Sequence, residues 1–185
     1  MKWNKQYNYP PCVRSTTDGL RTYDIGNEKL PSVTTILSAT QSPEKMESIK
    51  RWKERVGEEQ ATRVKNEAAS RGTNMHKHLE KYILGEGHAD LTEEGKLAKK
   101  MSDTIIEEGL KDMSEIWGSE VTLHYPKLYA GQTDLVGTYD YEDSIVDFKQ
   151  SNKLKRREWI EDYFMQLGAY AMAHNQVYRS EITQG

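Results

Sequence analysis

The sequence is poor in several things at once: 185 residues carry one cysteine, two phenylalanines and five prolines. A single thiol, Cys12, excludes an internal disulfide, a four-cysteine zinc site and a cysteine-ligated iron–sulfur cluster. No iron–sulfur cofactor is therefore expected, and a reducing compartment is the default. No run approaches the ~20 apolar residues that cross a bilayer, so no membrane partner is expected. The N-terminal MKWNKQYNYPP lacks both the apolar core of a secretory signal and the Arg-rich pattern of a transit peptide. The expectation is a cytoplasmic location, in a bacterial host if the chain is phage-encoded.

What is present argues for a folded chain. Hydrophobic residues make up 36% and charged residues 30%, with eleven tyrosines and four tryptophans. That profile suits one domain spanning residues 1–185. The net charge of −3 hides an asymmetry. Residues 44–81 hold ten basic and seven acidic side chains, and 86–120 hold four and ten. Residues 149–157 hold five basic side chains and no acid. An acidic total argues against a general nucleic-acid coat protein but leaves room for a local basic track.

Periodicity divides the chain. Residues 1–42 read as hairpin or irregular, with an Asp18-Gly19 turn signal and a helix start near Pro31 or Ser32. Residues 43–117 read as helical. Met46, Ile49, Trp52 and Val56 form an apolar stripe with Trp52 on the core side, and Gly57 interrupts it. A break is expected at Arg71-Gly72-Thr73, with Thr73 capping a new helix. Thr92 opens a further helix, whose stripe runs through Leu97, Met101, Ile105, Met113 and Trp117. Residues 118–150 read as three strands, the last spanning Ser144 to Lys149. A closing helix over 156–174 is expected to bury Ile160, Phe164, Leu167 and Ala171. The layout is α+β or α/β rather than a helical bundle.

On a strand through 145–149, Asp147 and Lys149 share one face while Val146 and Phe148 turn to the core. A hairpin brings Asp134 beside Asp147. Two carboxylates so placed repel unless a hard cation lies between them, and Mg²⁺ uses one or two carboxylates with substrate phosphate. An Asp-x-Lys triplet alone is common by chance. Gln166 and Tyr170, and likewise His76 and Glu80, stand four apart on helices and so project from one face.

In order, Gly72-x-x-x-His76-x-x-x-Glu80, Gly131-x-x-Asp134, Asp147-Phe148-Lys149 and Gln166-x-x-x-Tyr170 resemble the PD-(D/E)XK nucleases. The RecB-like branch is the nearest match, through the early His and the Gln-x-x-x-Tyr helix. Leu30-Pro31-Ser32-Val33-Thr34-Thr35-Ile36-Leu37, Trp52 and Arg71-Gly72-Thr73 resemble the mitochondrial genome maintenance exonuclease family and its relatives in tailed phages.

The resemblance implies a small mixed sheet flanked by helices, with a helical N-terminal half. It also implies a Mg²⁺- or Mn²⁺-dependent DNA exonuclease acting from single-stranded ends in phage or bacterial DNA processing. Asp134 and Asp147 would ligate the metal, with the Phe148 carbonyl as a third ligand and His76 supporting or joining them. Lys149 would orient or activate the attacking water. Glu80 falls where the family often has an acid, and Gln166 and Tyr170 would line the site. DNA would be met by Lys50, Arg51, Arg63 and Arg71 and by Lys153, Lys155, Arg156 and Arg157. A structure-specific endonuclease with the same site, and a non-catalytic DNA-binding protein on the same scaffold, are the competing readings. The family usually adds a strand after the Gln-x-x-x-Tyr helix, so with the sequence ending at Gly185 the expectation is either a truncated chain or a sheet smaller than usual.

Overall fold

Asp18 and Gly19 both take positive φ, which makes the tight turn joining β2 (Val13–Thr17) to β3 (Leu20–Ile25). β4 (Glu28–Pro31) adds antiparallel to β3, so the N-terminal segment is a three-stranded sheet rather than one hairpin. Ser32 then caps α1 (Val33–Ala39), its hydroxyl accepting the Thr35 N–H at 3.0 Å. A computed structural model describes residues 1–185. The chain divides into two compact units, one of Met1–Ser38 with Glu108–Gly185 and one of Ala39–Glu107.

The first unit also contains a four-stranded sheet in the order β1-β5-β6-β7. β5 (Met113–Tyr125) and β6 (Tyr129–Tyr139) form its long antiparallel centre. β1 (Lys2–Trp3) runs parallel to β5, and β7 (Glu142–Val146) pairs with the other side of β6. α5 (Glu161–Tyr178) packs on this sheet. The core between them includes Trp117, Leu123, Val136, Ile145, Tyr170, Ala173 and Ile182. A smaller cluster of Tyr23, Ile25, Leu30 and Ala130 joins the N-terminal sheet to β6. Near the C-terminus Gln184 bridges Ser144 in parallel, and its side-chain amide donates to Tyr139 O and Ser144 Oγ, both at 2.9 Å.

The second unit is helical. Ser42 caps α2 (Pro43–Val56), its hydroxyl accepting the Lys45 N–H. Gly57, at φ 87°, separates α2 from α3 (Glu58–Ile83). α3 is one continuous 26-residue helix, so the break expected at Arg71-Gly72-Thr73 is not there. Thr73 returns its hydroxyl to the Ala69 carbonyl one turn back instead of capping a new helix. Thr92 caps α4 (Glu93–Thr104) as its sequence suggests, accepting the Gly95 N–H at 3.0 Å. A π-helical turn, Ile105–Gly109, follows.

Three apolar stripes read differently in three dimensions. Met113 and Trp117 belong to β5, because the chain leaves the helix at the π turn. α2 buries no residue, and Trp52 is only half-buried on it. The inward face of α5 is Gln166, Tyr170, Ala173 and His174, while Phe164 is exposed. That face tolerates polar groups because they bond one another, as described below. No helix is long and apolar enough to cross a membrane.

Candidate active site

β6 carries Asp134, a carboxylate only 7% exposed. Its Oδ2 accepts the backbone N–H of Phe148, which lies just past the end of β7. β7 stops at Val146, three residues before the Asp-Phe-Lys run would end as a strand. β6 side chains replace the missing ladder partners: Thr133 Oγ1 donates to Val146 O at 3.1 Å, and Asp134 receives Phe148. Residues 147–149 are therefore held against β6 beyond the end of the ladder, with Phe148 buried.

Asp147 points to α5, the side on which Ile145 packs against Tyr170 and Ala173, and to Lys149 two residues on. Its Oδ1 accepts from Gln166 Nε2 at 3.3 Å, and its Oδ2 forms an ion pair with Lys149. Oδ2 is buried and receives no hydrogen bond of ordinary geometry, so the ammonium is its main counter-charge. Gln166 Nε2 also donates to Tyr170 Oη at 3.0 Å. Burial of the Lys149 ammonium lowers its pKa, Asp134 opposes that, and Lys155 adds to it, although 36% of the side chain still meets solvent. Burial likewise raises the Tyr170 phenol above its ordinary value.

Tyr170 lies so close to β6 that only glycine fits beneath it. A Cβ at Gly131 would fall 2.4 Å from the Tyr170 ring. The Gly131-x-x-Asp134 spacing thus sets both the ring seat and the acid on one strand.

Glu120 belongs to none of the sequence motifs. In the β5–β6 register it lies between the Ser119–Leu135 and Val121–Thr133 pairs, across from Asp134. One carboxylate oxygen of each lies within 4.8 Å of the other. Gln132 Nε2 steadies Glu120, donating to its Oε2 at 2.8 Å and its backbone carbonyl at 3.1 Å. Arg14 Nη1 in turn donates to Gln132 Oε1 at 3.3 Å. Oxygen-rich and like-charged, the Glu120–Asp134 pair suits a hard divalent cation such as Mg²⁺.

The sheet unit thus brings together Asp134, Asp147, Phe148, Lys149, Gln166 and Tyr170. His76 and Glu80 lie half-buried on α3 of the helical unit, four residues apart. Lys50, Arg51 and Arg63 are exposed there, the arginines paired with Glu47 and Glu67, and Arg71 is half-buried. Lys153, Lys155, Arg156 and Arg157 are all exposed in the stretch between Lys149 and α5.

No family model matches the chain. It is 30% identical over 172 residues to mitochondrial genome maintenance exonuclease 1 of Xenopus tropicalis, covering 87% of this chain and 48% of that protein. The human protein of the same name is 28% identical over 166 residues, covering 84% and 47%, and the mouse one 28% over 158 residues. The chain spans about half the length of the relatives it matches. These similarities support an exonuclease family for the chain.

Proposed function

We propose that the chain is a metal-dependent DNA exonuclease of the PD-(D/E)XK, RecB-like type, acting on single-stranded ends. The observation that carries the reading is the Glu120–Asp134 carboxylate pair beside the Asp147-Phe148-Lys149 run, which the Phe148 N–H ties to Asp134 and which Asp147 ties to Lys149 and to the Gln166–Tyr170 pair. A scaffold that only bound DNA would gain nothing from burying acids beside a phosphate path.

Glu120, Asp134 and Asp147 would hold Mg²⁺ or Mn²⁺, with the Phe148 carbonyl available as a neutral ligand. The metal, when bound, polarises the phosphate and lowers the pKa of an adjacent water. Lys149 has the role of positioning that water. Its depressed pKa brings the amine nearer to the neutral form that takes up a proton. The water oxygen bonds to phosphorus, the bond from phosphorus to the departing sugar oxygen breaks, and a proton ends on that oxygen. Gln166 keeps Asp147 oriented and Tyr170 walls the site. The parts assigned to His76 and Glu80 rest on the family resemblance.

The test is degradation of end-labelled single-stranded DNA, beside a circular strand, in Mg²⁺, Mn²⁺ and EDTA. Metal-dependent loss of the linear strand is expected, with the circle intact and with Asp147→Ala and Lys149→Ala inactive. Glu120→Gln should require more metal for half-maximal activity. Intact DNA in every lane, from a folded protein that still binds it, would overturn the nuclease. Cutting of the circle would make it an endonuclease.

A further inference from the structure

Between Lys149 and the second turn of α5, aromatic rings and cations alternate in contact. Lys149 Nζ lies 5.4 Å and Lys155 Nζ 4.9 Å from the centre of the Tyr163 ring. Lys155 also bonds Tyr163 Oη. The Arg156 guanidinium is 5.4 Å from the Trp159 ring, and that of Arg157 is 5.2 Å from the Phe164 ring. Trp159 is 56% and Phe164 46% exposed, so each ring keeps much of its surface open to solvent. Trp159 sits in a short 3-10 turn, Arg157–Trp159, and Phe164 in the first turn of α5. The nearby acid Glu158 reaches Arg156 only at 3.9 Å.

Solubility explains neither the bare rings nor their pairing with cations. A folded protein gains nothing by holding a tryptophan and a phenylalanine in water inside its most basic segment. One polymer offers both complements at a regular spacing: anionic phosphates for the cations, and flat base faces for the rings. A duplex cannot offer base faces, because its bases already stack on one another. The Tyr163 ring, shared by Lys149 and Lys155, joins this segment to the catalytic lysine.

We propose that Trp159 and Phe164 are a base-stacking platform for single-stranded nucleic acid, fed by Lys153, Lys155, Arg156 and Arg157 and leading to Lys149. The choice of nucleic acid as occupant rests on the nuclease reading, and the platform explains why that site would take a single strand. Arg156 and Arg157 each lie over a ring and leave a base the remaining surface, so a guanidinium, ring and base stack in succession.

The test measures binding in EDTA of three fluorescent ligands: an oligothymidylate, an abasic strand of equal length, and a blunt duplex. Wild type is compared with Trp159→Ala, Phe164→Ala and Trp159→Phe. Loss of either ring should weaken oligothymidylate binding roughly ten-fold. Affinity for the abasic strand and the duplex should change little, and Trp159→Phe should retain most of the binding. Oligothymidylate should also quench a part of the tryptophan fluorescence that Trp159→Phe removes. Unchanged oligothymidylate affinity in both alanine variants would overturn the platform and assign the rings to a protein interface. Equal losses on all three ligands would also overturn it, since the rings would then serve only to hold the cations. Base-dependent binding by a protein that leaves DNA intact in Mg²⁺ would keep the platform and remove the nuclease.

Discussion

At the scale of single residues, the tightest constraint in the candidate site is the absence of a side chain. A Cβ at Gly131 would meet the buried Tyr170 ring at 2.4 Å, and a buried ring cannot swing aside as a surface side chain can. Gly131→Ala should therefore push Tyr170 off Gln166 and destabilise the fold by ~1–3 kcal/mol, the range of an overpacked core. Thermal unfolding and metal-dependent cleavage check this, and both should fall together. An alanine variant that matches the wild type in both would show that the seat has slack. Asp134, Asp147, Lys149, Gln166 and Tyr170 were legible in the sequence because each belongs to a short spaced motif. Glu120 was not. Its place beside Asp134 follows from the β5–β6 register, which links residues 14 apart and leaves no local signature.

At the scale of elements, most cap and turn signals hold, Thr73 excepted. The Asp18-Gly19 turn, the Ser32 and Thr92 caps and the interruption at Gly57 all appear in the structure. Signals failed where tertiary pairing overrode them. Met113 and Trp117 continue the helical spacing of α4, yet β6 claims them as strand. The Asp-Phe-Lys run alternates like a strand, yet β6 side chains take over its bonds. The β6–β7 turn shows a third case, a polar sequence without the residues its geometry favours. Asp140 at φ 46° and Tyr141 at φ 67° occupy the two central positions of a tight hairpin turn, where Asn-Gly is the natural pair. Tyr141 is 93% exposed and gains no packing in return. Tyr141→Gly should relieve about 1 kcal/mol of left-handed strain and raise the unfolding temperature, with no loss of activity. A lower unfolding temperature would mean that the tyrosine has a stabilising contact.

At the scale of the whole chain, the most consequential cluster lies away from the acids. His174 is fully buried on α5. Its Nε2 shares a hydrogen bond with Tyr9 Oη at 3.1 Å and its Nδ1 one with Ser180 Oγ at 2.6 Å. Tyr7, Trp117 and Tyr178 surround the ring. Burial lowers its pKa from 6.5 to about 4. The folded protein therefore refuses a proton that the unfolded chain accepts between those values. The stabilisation from a neutral His174 is complete above pH ~6.5 and is lost progressively as pH falls toward 4, by roughly 3 kcal/mol in all. Urea unfolding at pH 7.5, 6 and 5 should show this slope, and His174→Gln should flatten it. An equal slope in both proteins would place the acid sensitivity elsewhere.

The same cluster joins the two ends of the chain, and that has a cost in time. Lys2 and Trp3 pair with Glu115 and Ile116, and Tyr7 and Tyr9 pack on a ring at position 174. At synthesis rates of about 5–20 residues per second, the first strand waits on the order of 6 to 20 s for its partner. The two tyrosines wait longer still. All of residues 39–107 leave the ribosome during that interval, and within them α3 packs on α4 and α2. Residues 2–9 are thus made well before their partners and are placed only once residues 115–178 have followed them.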